Sequence, residues 1–226
     1  MGQILDQLSI DCVLFGYKDG AIQALLLRRK KDPEKGKWAL PGGFIQINED
    51  IDDASKRILF ELTGVQNLFM EQVGAFGKVN RYPLRRVVTL SYFSLVNPAH
   101  YEINVGADAE SVEWVNMNAL PKLVFDHSEI TKRALEQLRF KARYEPIGFE
   151  LLPKKFTLNQ LQNLYQAIFG IEFDKPNFRR KIIKLNILKP LDETWSDGVH
   201  RTAQLFIFDE KKYRKLQKEG MHFEIY

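Results

Sequence analysis

The residues with the clearest chemical potential lie in NFRRKIIKL, Asn177 to Leu185. On a helix, Phe178, Ile182 and Leu185 fall at i, i+4 and i+7 and turn one face to a core. At about 100° per residue, Asn177, Arg180 and Lys184 then gather on the other face, flanked by Lys175, Arg179 and Lys181. A helix fits the major groove of DNA. Arginine can pair bidentately with guanine and asparagine with adenine, while lysines neutralise phosphates. An ordinary solvated face has the same composition, and for an isolated basic helix that would be the reading. What surrounds this helix changes it.

The elements that must position this face are written on either side. Thr157-Leu158-Asn159-Gln160 fits a capping box. The helix it opens carries Leu158, Leu161, Leu164 and Ile168 on one side and ends at Gly170. Asp174 caps the next helix, with Pro176 in its first turn, where a missing N–H costs little. Ile187 to Trp195 and His200 to Phe208 read as strands joined by a Ser196-Asp197-Gly198 turn. Two helices followed by such a hairpin resemble a winged helix-turn-helix. His200 and Arg201, just past the hairpin tip, are then placed to touch phosphates or the minor groove. The later KKYRK run, Lys211 to Lys215, reads as a solvated helix face.

Nearer the N-terminus, Leu8 to Tyr17 and Ala21 to Arg28 read as a hairpin around Lys18-Asp19-Gly20, with further strands at Val87 to Val96 and Ser111 to Val115. Asn48 is placed to cap a helix running to about Thr63 and closed by Gly64, and a second helix is expected from about Ser128 to Arg143. Within this part, Gly43, Glu49, Arg57, Leu59, Glu61, Gly64 and Val65 repeat the spacing of the Nudix box, G-x5-E-x7-R-E-U-x-E-E-x-G-U with U apolar. Together with the lead-in WALPGGF, residues 1–145 resemble a Nudix domain, a mixed sheet between helices. In active members of that family, the resemblance implies, two glutamates at i and i+4 of the box helix bind the divalent cations that bridge a substrate diphosphate. Here those places hold Ile58 and Leu62, which have no lone pair to give a hard ion. With Ile51 and Ala54 they form an apolar stripe that reads as core packing. Glu49 and Glu61 remain as vestiges of a metal site. Glu61 sits four residues after Arg57, which reads as a helix-surface or loop-tethering ion pair. No catalytic residue, bound metal or cofactor is expected, and the chain is not expected to be an enzyme.

A cleft that has lost its catalysis can still take a ligand. Arg81 and Arg85, with Arg86 beside them in GKVNRYPLRRVVTLSYF, lie in a segment whose counterpart in ADP-ribose-type Nudix proteins is near the substrate, as the resemblance implies. Trp38 and Phe44 flank the Pro41-Gly42-Gly43 turn, and Asp126 and His127 open a helix in VFDHSEI. These six are the candidate effector contacts. Each has a plainer reading: Trp38 as core, Asp126 as a helix cap, His127 as a surface or capping-region histidine, the arginines as solvated. Cys12, within an apolar strand, reads as packing.

Composition bounds the rest. The chain has 226 residues, 45% hydrophobic and 27% charged, which excludes wholesale disorder. No run approaches the roughly 20 apolar residues of a membrane helix, and neither a secretory signal nor a myristoylation site is legible. A single cysteine excludes an intrachain disulfide and points to a reducing cytoplasm. Residues 151–226 carry 14 basic against 9 acidic side chains, so the whole excess of positive charge lies there. That asymmetry suits a neutral body joined to a polyanion-binding module.

The expected fold is α+β: a Nudix-like mixed sheet between helices over residues 1–147, then a winged helix-turn-helix over residues 148–226. The combination resembles the Nudix-related transcriptional regulators of bacteria, most specifically in FTLNQLQNLYQAIFG and DKPNFRRK. The resemblance implies a cytoplasmic, nucleoid-associated repressor that binds double-stranded operator DNA as a homodimer and senses a small effector. One branch responds to ADP-ribose and governs NAD metabolism; another responds to L-arabinose. Without a metal clamp a diphosphate loses its usual counter-charge, so L-arabinose is the expected effector and ADP-ribose the alternative. Two further readings stand beside these: an active Nudix hydrolase of a nucleoside diphosphate derivative, and a nonenzymatic module binding RNA or protein.

Overall fold

The computed structural model describes residues 3–65, 70–101, 103, 105–196 and 202–225, with His100 described by its backbone alone. The chain divides into two compact units, Met1–Lys18 with Ile22–Gln137, and Asp19–Ala21 with Leu138–Tyr226.

The first unit is built on a seven-stranded mixed sheet of β1 (Ile4–Lys18), β2 (Ala21–Arg29), β3 (Trp38–Ala39), β4 (Gly42–Gln46), β5 (Glu71–Phe76), β6 (Val88–Val96) and β7 (Ala109–Asn116). The main path runs β3-β2-β1-β6-β5, with β4 on β1 and β7 on β2. Strands β1 and β6 are parallel, in register from Leu8 opposite Val88 to Gly16 opposite Val96. Residues Ile10 to Phe15 of β1 are buried without a break, as a central strand covered on both faces requires. Asp11 is the polar exception in that run, only 6% exposed. A buried carboxylate must be paired, and its partners prove to belong to the cleft described below.

The box helix is α1 (Ile51–Thr63). Asp50, not Asn48, occupies its N-cap position, and Asp50 makes no side-chain cap bond there. Gly64 closes the helix at φ 75°, donating its N–H to the Phe60 carbonyl, a left-handed stop that costs glycine nothing. Ala54 and Ile58 are buried and Leu62 partly so, packed with Ile10, Leu14 and Ile45. Ile51, expected in the same stripe, is 43% exposed. It is the first helical residue, before the helix has settled onto the sheet. Helix α2 (His127–Tyr144) buries Ile130, Ala134, Leu138 and Ala142. The division between the units falls within α2.

The second unit holds α3 (Leu158–Phe169) and α4 (Lys175–Lys184), then the hairpin β9 (Leu188–Trp195) and β10 (Ala203–Phe208), then α5 (Glu210–Lys218). A short β8 (Phe156–Thr157) completes a three-stranded sheet in the order β8-β10-β9. Both ends of α3 follow the sequence. The Thr157 hydroxyl accepts from the Gln160 N–H at 3.1 Å, the Gln160 carboxamide accepts from the Thr157 N–H at 2.8 Å, and Gly170 ends the helix at φ 70°. The core is aromatic. Phe149 stacks on Phe208 at 4.5 Å between ring centroids, and Phe173 on Phe178 at 5.4 Å, around a fully buried Tyr165. Among the described residues no helix is long and apolar enough to cross a membrane.

Candidate functional site

In the first unit a cleft of about 270 Å³ opens over the middle of β1, the end of β2 and the start of β4. Its floor is a charged network. Arg81 donates from Nε and Nη2 to the two carboxylate oxygens of Asp126, at 2.9 and 2.7 Å, and from Nη2 to Asp11 at 3.0 Å. The Arg81 side chain is 3% exposed. Burial works against its charge, but the Asp126 bonds and the attraction of Asp11 outweigh burial and raise its pKa. His127 is also buried, and its Nδ1 accepts from the Leu40 N–H at 2.9 Å. Burial holds its pKa below the ordinary histidine value, although Asp11 lies 3.5 Å from Nε2. The network also fixes the nearby turn: a Cβ on Gly42 would come within 2.3 Å of the Asp11 carboxylate, so only glycine lets β4 approach β1 here.

Above this floor stands an aromatic wall. The Tyr82 ring meets Phe125 at 5.2 Å and Phe44 edge-on at 6.4 Å, and Phe125 meets His127 at 5.4 Å. Phe125 has φ 52°, a left-handed conformation that costs a bulky residue roughly 1–2 kcal/mol. Such strain gathers where the surroundings hold a functional surface in shape.

The expected effector residues divide accordingly. Phe44, Arg81 and His127 line the cleft. Arg81 and Asp126 are already committed to one another, so their geometry suits holding the wall. The reading of Arg81 as solvated is corrected, because two carboxylates brought from distant strands and turns offset its burial. His127 is buried rather than at the surface, because its ring receives a backbone donor. Arg85 lies over the Phe44 ring at 5.0 Å and 3.5 Å from Asp6. Trp38 stands apart from the cleft lining, half-buried beneath the Arg28 guanidinium at 5.1 Å.

Sequence reasoning missed Arg29. This last residue of β2 is half-buried in the cleft lining, with its guanidinium carbon 5.3 Å from the Phe125 ring centroid. Its Nε donates to the Pro33 carbonyl at 2.8 Å. A single cation closing an apolar strand looks like any strand end, so the sequence offered no signal for it.

The Nudix fold implies divalent cations, and the residues present do not fit them. Ile58 is buried, and its side chain lies 3.3 Å from where a Gly43 Cβ would stand. Leu62 turns hydrocarbon into the cleft. Among the described residues no group of three His, Cys, Asp or Glu side chains is placed to hold a metal ion. Glu49 and Glu61 are instead engaged by Arg57, which donates to Glu49 at 2.7 Å, to Glu61 at 2.9 Å and to the Phe44 carbonyl at 3.1 Å. This ties the loop after β4 to α1. The Arg57 bond holds the Glu49 carboxyl below its usual value.

In the second unit α4 buries Phe178 and Ile182 and exposes Lys175, Asn177, Arg179, Arg180, Lys181 and Lys184. Leu185, expected in the core, is half-buried just past the end of the helix. The Asp174 carboxylate accepts from the Asn177 N–H at 3.0 Å. The Asn177 carboxamide in turn accepts from Arg180, so the two candidate base readers hold each other on one face. Arg179 donates to Asn159 of α3 at 2.8 Å, bracing the two helices. Ile183, which the sequence reading left unassigned, is 57% exposed on the Arg180 side of the helix. An apolar side chain there has the chemistry to meet a thymine methyl. His200, Arg201 and the hairpin turn lie outside the described residues.

Comparison with known proteins accounts for both units. A model of the NUDIX domain matches residues 5–136, and one of the NrtR DNA-binding winged helix domain matches residues 148–208. The chain is 35% identical over 210 residues to the "ADPR responsive transcriptional repressor NtrR" of Acinetobacter baylyi, covering 91% of this chain and 83% of that one. The crystal structure of Shewanella oneidensis NrtR superposes with a TM-score of 0.77 at 30% identity, covering 92% and 96% of the two chains. The same protein complexed with a 27mer DNA gives 0.75 at 28% identity, covering 92% and 96%. The expected arabinose branch is therefore corrected: the relative matched along both units is one named for ADP-ribose. A neutral sugar was the expectation because a diphosphate loses its metal counter-charge, yet side-chain cations, Arg29 at the end of β2 among them, also line the cleft. With 35% identity to one such regulator along both units, the chain belongs to the NrtR family, in which a Nudix domain precedes a DNA-binding winged helix.

Proposed function

We propose that this protein is a transcriptional repressor whose α4 reads operator DNA in the major groove and whose Nudix-like cleft senses ADP-ribose. The observation that carries the reading is the pairing of two surfaces in one NrtR-family chain: an exposed Asn177/Arg180/Lys184 face over a buried Phe178/Ile182 face, and an aromatic cleft that keeps cations while, among the described residues, no group of three metal-ligating side chains is placed to hold an ion. The name of the Acinetobacter relative, and the Shewanella Nudix domain solved "complexed with ADP ribose" at 32% identity and a TM-score of 0.53, support the choice of effector. In the cleft, Tyr82, Phe44 and Phe125 offer faces for a purine or ribose, and the cations complement phosphate.

Two chains acting as a homodimer in the cytoplasm would set two α4 helices into half-sites of a palindrome about one helical turn apart. ADP-ribose releases the repressor by favouring the conformation that does not fit DNA. Near-complete release requires about 10⁴-fold tighter effector binding to that conformation.

The test is a fluorescence anisotropy titration with the promoter region of its own gene. ADP-ribose is expected to lower operator affinity while AMP and ribose 5-phosphate, each lacking the diphosphate bridge, leave it unchanged. Equal insensitivity to all three would remove ADP-ribose from the reading.

A further inference from the structure

The cleft poses an electrostatic problem. A diphosphate brings two or more negative charges into a partly desolvated site, and the cations that Nudix scaffolds use to offset them have no ligands here. Ile58 is packed behind Gly43, Leu62 faces the cleft as hydrocarbon, and no acidic cluster among the described residues replaces them. The counter-charge must come from side chains.

Three cations line the cleft: Arg29, Lys31 and Arg81. Arg81 is spent on Asp126 and Asp11. Lys31 is ion-paired with Asp108 at the rim, with 63% of its side chain exposed. Arg29 differs from both. One edge is anchored by the Nε bond to Pro33, and its guanidinium carbon lies over the Phe125 ring, 5.3 Å from the centroid, so two contacts restrain it. Neither contact uses its Nη groups, and among the described residues no carboxylate is ion-paired with it. The remaining lining carboxylate, Asp32, is exposed, where water screens its repulsion. A planar guanidinium held this way presents a fork that matches phosphate oxygens bidentately.

We infer that Arg29 grips the diphosphate of the effector directly, in place of the divalent cations of Nudix hydrolases, so that effector binding needs no metal. This rests on the ADP-ribose reading above and goes beyond it in naming the group and excluding the ion. Half-burial beside Phe125 lowers the local dielectric around the guanidinium, which strengthens its bonds to a phosphate.

The experiment is isothermal titration of the full-length protein with ADP-ribose, once in EDTA and once in magnesium, repeated with Arg29→Gln and Arg29→Lys. Wild type is expected to bind equally in both buffers. Arg29→Gln should lose roughly 10- to 100-fold in affinity, and Arg29→Lys, a point charge without the fork, should fall between. Unchanged operator affinity without effector serves as the folding control for both variants. Wild-type binding that requires magnesium overturns the inference, as does an Arg29→Gln protein that binds like wild type. Should Arg29→Gln fail the folding control, the EDTA arm and Arg29→Lys decide. Absence of ADP-ribose binding to wild type in either buffer overturns instead the effector reading on which the inference rests.

Discussion

Arg81 gathers Asp11 from the central strand and Asp126 from the start of α2 into one buried network, and that network sets the shape of the cleft. Removing one partner of a buried ion pair strands the other charge, at a cost of about 3–5 kcal/mol. Arg81→Met is therefore expected to lower the unfolding free energy of the first unit, measured by denaturant titration, by that order, and a change within about 0.5 kcal/mol would show the network to be dispensable. His127 gives a pH signature. Its pKa is depressed in the folded state, so the unfolded chain binds the proton more readily. Its contribution to stability is fully present above the ordinary value of 6.5 and is lost as pH falls through the depressed value. Glu49 behaves likewise at lower pH: its carboxyl is held below 4.5 by Arg57, so this contribution is present above pH 4.5 and disappears on further acidification. Stability measured from pH 7 to 3 should fall in two windows, the upper one abolished by His127→Gln and the lower one by Glu49→Gln. A profile identical to wild type in either variant would contradict the assignment. These partnerships were illegible in the sequence, since Asp11 and Arg81 lie 70 residues apart. Only the local Arg57–Glu61 pair could be read from its spacing.

The elements that position the proposed DNA-reading groups were written more openly, because caps and periodicity are local. The Thr157–Gln160 box, the Gly170 stop and the Asp174 cap each follow from neighbouring residues. Thr157→Ala is expected to cost about 1 kcal/mol of thermal stability, and Ile182→Ala about 2–5 kcal/mol, with calorimetric unfolding as the check. Arg180→Ala should weaken operator binding by about 1–3 kcal/mol and relax preference at one base position. Unchanged affinity in a gel-shift titration would take Arg180 out of the reading set. Ile183 escaped sequence analysis because an isoleucine beside Ile182 is expected to share its burial, yet one residue along a helix is a rotation of about 100°. The box helix misled in a related way: Ile51 continues the apolar spacing but sits at the helix start, exposed.

Across the whole molecule, the fold class and the order of a Nudix domain before a winged helix were legible because each carries an extended local motif. The effector was not. Loss of the metal ligands was visible at Ile58 and Leu62, but the cation that answers it closes a strand some 30 residues earlier and declares itself only when the chain is folded. The proposed function makes the degenerate Nudix scaffold a metal-free sensor of ADP-ribose that passes binding on to DNA. Its most direct measurement is operator binding followed by anisotropy in EDTA as ADP-ribose is added, with the nucleotide recovered afterwards. Release of the operator, with ADP-ribose recovered intact, is expected. Retention of the operator at saturating nucleotide, or release only when magnesium is present and the nucleotide is cleaved, would contradict it.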